Sequence, residues 1–159
     1  MQNLKAQEIY EKHLFHNQIM HNFLAGISHA ESVLELPFKH NSMNWILGHI
    51  IANRSHVLES LGAEHNWQEE IRKLYHQDTP PITSESPSLN FEKLIEYLDE
   101  SVVLLKSVLE NMSEEKLDEN YANYRGEKTR YEHVSSFHWH ESFHLGQLEI
   151  LKAFIESER

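Results

Sequence analysis

The sequence predicts an all-α protein, a four-helix bundle with one long crossover connection, and three observations carry that prediction. Glycine and proline are scarce, with 5 Gly and 4 Pro in 159 residues, so few positions demand a break in regular structure. Three of the four prolines fall in one short stretch, "PPITSESP" at 80–87, which leaves long uninterrupted segments on either side. Within those segments apolar residues recur at steps of three and four, the period of one helix face. The length suits a single domain, residues 1–159, able to bury an ordinary core without covalent cross-links.

The first helix is expected over about 4–27, with Ile9, Met20, Phe23 and Ile27 on one stripe, Tyr10 and Leu24 beside it, and His13 and His16 within the same stripe. Ser28 and Glu31 have the spacing of a capping box, so a short extra turn is expected before "LPFKH" interrupts the pattern. The second helix starts at Asn41 or Ser42, carries Trp45, Ile46, His49, Ala52, Asn53 and His56 at helical spacing, and stops at Gly62. Residues 63–88 read as the long connection, with at most one short helix and two isolated aromatics, Trp67 and Tyr75. Connections of that length in a compact domain are usually functional or mobile. The third helix, 90–112, has the cleanest stripe: Phe91, Ile95, Leu98, Val102, Leu105, Leu109 and Met112. Such a stripe is core. The last helix begins at Thr129, again in capping-box spacing with Glu132, and continues through "HESFHLGQLEILKAFIE". No alternating strand pattern is visible.

Composition excludes several classes of function. There is no cysteine, which removes disulfides, thiolate ligands and a Cys nucleophile and leaves imidazole and oxygen to hold any metal. The formal charge of −11 repels a phosphate backbone, so no nucleic-acid partner is expected. No apolar run approaches the roughly 20 residues needed to span a bilayer, and the N-terminus lacks the apolar stretch of a signal peptide. A soluble cytoplasmic protein with no membrane partner is the expectation. The 13 histidines are the compositional oddity, spread along the chain from His13 to His144.

Two of those histidines form a motif. His140-Glu141-Ser142-Phe143-His144 matches H-E-x-x-H, and one helical turn brings the two rings onto one face, about 6 Å apart at the backbone, where they can share an ion. A third ligand must come from another element. His49 is the best candidate, because "WILGHIIA" is otherwise apolar and a bare imidazole there would be desolvated without a partner; Gly48 beside it permits a neighbouring helix to approach closely. His13, His16, His56, His133 and His138 read as surface or pocket residues, and His133, two turns from His140, is roughly 10 Å too far along the helix to share an ion with it. A zinc protease would need its third ligand on a later helix or in H-E-x-x-H-x-x-G-x-x-H, whereas "LGQLEILKAFIESER" after His144 holds no further His. Glu141, about 100° round the helix from His140, is read as a supporting or solvated residue rather than a general base. Gln147, three residues after His144, is placed to orient a ligand or to meet a neighbouring helix. His13, His16, Asn53 and His56 could line a pocket mouth, and Trp67 or Tyr75 could cover it.

"NSMNWILGHI" followed some ninety residues later by "HWHESFHLGQLEIL" resembles the DinB-like (DinB/YfiT) superfamily of four-helix-bundle metalloproteins. The resemblance spans most of the chain, through the helix order, W-x-x-x-H in the second helix and H-x-x-x-H-x-G-Q in the fourth. It implies one divalent ion, Zn²⁺ or Ni²⁺, held by His49, His140 and His144, and it implies neither DNA binding nor polymerase activity. Relatives of this kind include metal-dependent S-transferases that use low-molecular-weight thiols, a thiol-dependent isomerase and metal-dependent hydrolases. The expected function is therefore activation of a small thiol for S-transfer, with hydrolysis by metal-bound water and a non-catalytic structural or regulatory role as the alternatives; no catalytic side chain is singled out. The expected partner is a small molecule, and an apolar helix face left over after the bundle forms would support a homodimer.

Overall fold

The computed structural model describes residues 3–65 and 67–159. Four long helices form the bundle: α1 (Leu4–Leu24), α3 (Met43–Ser60), α5 (Phe91–Glu110) and α7 (Arg130–Ser157). Short elements lie between them: α2 (His29–Ser32), α4 (Glu69–Arg72) running into a 3-10 turn (Lys73–Tyr75), α6 (Glu114–Asp118), and the strands β1 (Asn120–Asn123) and β2 (Gly126–Thr129). α1 and α3 each contact both α5 and α7, which puts α1 diagonally across the bundle from α3. Among the described residues no helix is long and apolar enough to cross a membrane.

Caps set the helix starts. Asn3, Ser42 and Asn90 accept backbone N–H groups at the starts of α1, α3 and α5, and complete capping boxes open α2 and α7 through Ser28/Glu31 and Thr129/Glu132. Each satisfies donors that the first turn of a helix leaves unpaired. α1 stops at Leu24 rather than continuing to Ile27, because Gly26 adopts φ +75° and turns the chain.

One departure from the sequence expectation is the two-stranded antiparallel hairpin, where no strand pattern is visible. Four residues per strand are too few for alternation to register, and both strands are largely exposed. The turn closes because Asn123 Oδ1 accepts the Arg125 backbone N–H at 2.8 Å and Gly126 takes φ +97°, a conformation that suits glycine. Buried His133 ties the hairpin to α7, with Nε2 2.8 Å from the Tyr121 carbonyl and Nδ1 3.2 Å from Asn123 Nδ2. The expectation that His133 is a surface or pocket residue is therefore wrong.

The core is two apolar clusters separated by a polar layer. One contains Met20, Ile46, Phe91, Leu98 and Leu148; the other contains Ile9, Leu58, Leu105, Leu109 and Phe137. Between them Arg54 on α3, 3% exposed, meets Glu141 on α7, also 3% exposed. Arg54 Nε and Nη2 donate to the two carboxylate oxygens at 3.0 and 2.8 Å. Arg54 Nη1 donates to Asn17 Oδ1 of α1 and Ser101 Oγ of α5, each at 3.0 Å, so one guanidinium bonds to the other three long helices.

Candidate metal centre

His49, His140 and His144 converge at one end of this polar layer. Each offers a ring nitrogen, and those atoms all lie within 4.8 Å of one another, a group that could hold a metal ion. His49 is placed by α3 and by the connection after it. Its ring stacks on Trp45 one turn earlier, with centroids 4.7 Å apart, and the Trp45 Nε1 donates to Thr79 Oγ1 at 2.8 Å. His49 Nδ1 lies 2.7 Å from the Tyr75 carbonyl oxygen. A carbonyl can only accept, so Nδ1 carries the proton and the lone pair that a ligand would use lies on Nε2, where it accepts from Asn53 Nδ2 at 3.0 Å.

His144 is oriented by a chain of three side chains. His40 Nδ1 donates to the Asn41 carbonyl at 2.9 Å, which leaves His40 Nε2 to accept from Gln147 Nε2 at 3.2 Å. That settles the Gln147 amide, whose Oε1 accepts from His144 Nδ1 at 2.5 Å. His144 Nε2 then presents its lone pair 3.3 Å from His140 Nε2. Two nitrogens bound tetrahedrally at about 2.0–2.1 Å from an ion stand about 3.3 Å apart. The pair already has the span that a shared ion requires, and the donor set fits Zn²⁺ or a similar borderline ion. His140 Nδ1 is buried with no partner among the described residues.

Burial also keeps these rings uncharged. Desolvation pushes His49 down to about 3 and His140 down to about 4, and it lowers His144 despite the opposing bond from Gln147. Neutral imidazoles at pH 7 have no proton for an incoming ion to displace.

With this geometry in place, the comparison with known proteins is specific: the family profile described as the DinB superfamily matches residues 10–148. The chain belongs to the DinB superfamily. No curated protein matches it. Among solved structures, the crystal structure of a conserved protein from Enterococcus faecalis is similar over 99% of both chains, with a TM-score of 0.74 and 20% sequence identity. At that identity the likeness shows a shared fold alone.

A cavity of about 200 Å³ opens onto the cluster of this DinB-superfamily chain, with His49, His140, Asn53, His56 and Tyr75 in its wall. Asn53 Nδ2 lies 3.0 Å from His49 Nε2 and donates to the His49 carbonyl at 2.8 Å. His56 Nδ1 donates to Glu59 Oε2 at 2.7 Å. Tyr75 packs its ring against Gly48, where an added Cβ would overlap it, so the group that uses the space above Gly48 is a side chain of the connection, contrary to the expected neighbouring helix. Trp67 does not cover the cavity; it is buried against Tyr75 and Tyr97, at centroid distances of 5.7 and 5.6 Å.

His13 and His16 turn away from the cavity. Both are buried, at 1% and 6% exposure, which corrects their reading as surface or pocket-mouth residues. His13 Nδ1 donates to the Ile9 carbonyl. His16 bonds Glu141 Oε1 at 3.1 Å and stacks on half-buried His138 with centroids 4.0 Å apart. Glu141 is not solvated. Burial alone would raise its carboxyl, but the charge and hydrogen bonds of Arg54 reverse this and hold it well below the usual carboxylate range. The glutamate of the H-E-x-x-H pattern thus belongs to the polar layer of the bundle. Sequence reasoning missed Arg72, His76, Gln77, Tyr124 and Arg125, which also line the cavity. The one local signal was the turn at Gly126, and it says nothing about where the hairpin docks.

Proposed function

We propose that His49, His140 and His144 hold one divalent ion, Zn²⁺ or Ni²⁺, and that the protein is a metal-dependent enzyme activating a low-molecular-weight thiol for transfer to an electrophile. The observation that carries this reading is the cavity at the cluster: His49 and His144 are tied to the protein through Nδ1, while His49 and His140 line a space able to admit a small molecule. An open side on a three-imidazole site is the mark of a catalytic rather than a structural centre. When bound, such an ion supplies a Lewis acid that favours the anionic form of a group beside it. A thiol starts from a pKa of about 8.5 and water from about 15.7, so the thiol ionises more completely under the same influence. The chain has no cysteine, and the sulfur has to arrive with a substrate.

The protein's own residues would do the rest. The Tyr75 carbonyl and Gln147 keep two lone pairs aimed at the centre. His56 lines the same cavity, burial lowers its pKa, and donation from Nδ1 to Glu59 leaves Nε2 free to accept the proton that the thiol gives up. In the Co²⁺-substituted protein, added small thiols are expected to produce sulfur-to-metal charge-transfer absorption, and His49→Ala is expected to lose both that band and the bound ion. One ion per chain retained in His49→Ala would overturn the site. An optical spectrum indifferent to thiols, together with metal-dependent ester hydrolysis, would replace the transferase reading with a hydrolase.

A further inference from the structure

The cavity beside the three histidines has an electrostatic character opposite to that of the chain. The sequence carries 25 acidic residues against 14 Lys and Arg, yet the charged side chains of the cavity wall are two arginines, Arg72 and Arg125, with no carboxylate among the lining residues. The two arginines are not equivalent. Arg72 is neutralised by Glu59 at 2.6 Å and Glu69 at 2.7 Å. Arg125 has no acidic partner within salt-bridge distance among the described residues. Its Nη1 donates to Ser136 Oγ at 3.1 Å and its Nε to Tyr124 Oη at 3.3 Å, and its guanidinium carbon lies 4.1 Å from the centre of the Phe137 ring. These contacts orient the fork and leave Nη2 without a hydrogen-bond partner among the described residues.

Arg125 is also held in place by its element. It sits in the two-residue turn of the hairpin, its backbone N–H is bound by Asn123, and His133 pins that hairpin to the helix that bears His140 and His144. A half-buried guanidinium stacked on an aromatic ring, with free donors and no counter-ion, is built to receive an oxyanion.

We infer that Arg125 is an anion-binding residue, and that the small molecule taken at this site carries a carboxylate or phosphate group which Arg125 grips while the reacting end reaches the three histidines. The position of the reacting sulfur rests on the metal reading above; the anion site itself rests on Arg125 and its surroundings. With Arg72 paired to Glu59 and Glu69, Arg125 is the uncompensated cation of the wall among the described residues, and a neutral apolar ligand would leave its donor unused. The unpartnered Nη2 of this one guanidinium fits a single oxyanion, and the cavity of about 200 Å³ limits the rest of the molecule inside the wall to a small group.

The test compares 3-mercaptopropionate with its neutral amide, 3-mercaptopropionamide, titrated calorimetrically into the metal-loaded protein. The acid is expected to bind about tenfold more tightly than the amide, the size of one charge-assisted hydrogen-bonded contact. Arg125→Gln should erase that difference while metal content and affinity for the amide stay unchanged. Arg125→Lys, which keeps the charge without the fork, should retain an intermediate preference. Equal affinities for acid and amide in the wild type, or a preference that survives in Arg125→Gln, would overturn the proposal. Failure of the metal reading registers separately, as less than one ion per chain in the wild type. Inorganic phosphate titrated into metal-free protein then tests the anion site alone, and binding that is unaltered by Arg125→Gln would overturn it.

Discussion

At the scale of single residues, Glu141 shows how five letters acquire a second meaning. One step along the helix from His140 is about 100° of rotation, which turns the carboxylate from the cavity into the bundle and onto Arg54. Both partners are buried, so removing one charge leaves the other without compensation. Glu141→Gln is expected to cost about 3–5 kcal/mol of stability, read as a lower urea midpoint, while metal stoichiometry is retained and no peptidase activity appears in either protein. Metal-dependent casein cleavage by the wild type that vanished in the variant would show that Glu141 is a general base after all. The angular position of Glu141 was legible from helical periodicity. Its partner was not, because an arginine 87 residues away has no signature in the sequence around position 141.

At the scale of elements, the connection between α3 and α5 does more than span the bundle. Its 3-10 turn delivers Tyr75, whose ring lies on Gly48, whose hydroxyl donates to Asn44 at 3.1 Å and accepts the Leu89 N–H at 2.9 Å, and whose carbonyl orients His49. Gly48 was identifiable as a point of close approach, whereas the group approaching it was decided by how the connection folds. Gly48→Ala sets two effects against each other. Alanine favours the helix by about 1 kcal/mol, but overlap with a fully buried ring costs about 1–3 kcal/mol. The variant is expected to be less stable and, by displacing the carbonyl behind His49, to bind metal about 10–100-fold more weakly. Unchanged metal affinity in a folded Gly48→Ala protein would show that the carbonyl does not matter. The hairpin between α5 and α7 makes a parallel case, since its four-residue strands left no period to read and it supplies Tyr124 and Arg125 to the cavity wall.

At the scale of the whole molecule, the metal-free protein should be acid-labile. Burial pushes His13 down to about 4, while an unfolded histidine titrates near 6.5. As pH falls below about 6.5 the unfolded chain takes up a proton that the folded chain refuses, so stability declines toward pH 4 and is level above 6.5. For His13 alone the loss is on the order of 3 kcal/mol. His49, His138 and His140, lowered to about 3, 4 and 4 by burial, act in the same direction. Glu141 extends the decline below about 4.5, where the unfolded carboxyl protonates first. Urea unfolding across this range should give a slope of stability against pH that is positive between 4 and 6.5. A flat profile would contradict the burial of these rings.

Local chemistry in the sequence determined the four long helices, their caps, the shared face of His140 and His144 and the unusual imidazole at His49, because each depends on helical period and on residues within a turn or two. Tertiary structure alone decided that His49 meets the other two, that Glu141 joins Arg54 across the core, and that a hairpin turn brings Arg125 to the cavity. Those pairings connect residues tens of positions apart, and they arise only when four helices settle into one register. The Arg54–Glu141 layer is bonded across all of them in that register, with Asn17 and Ser101 completing it.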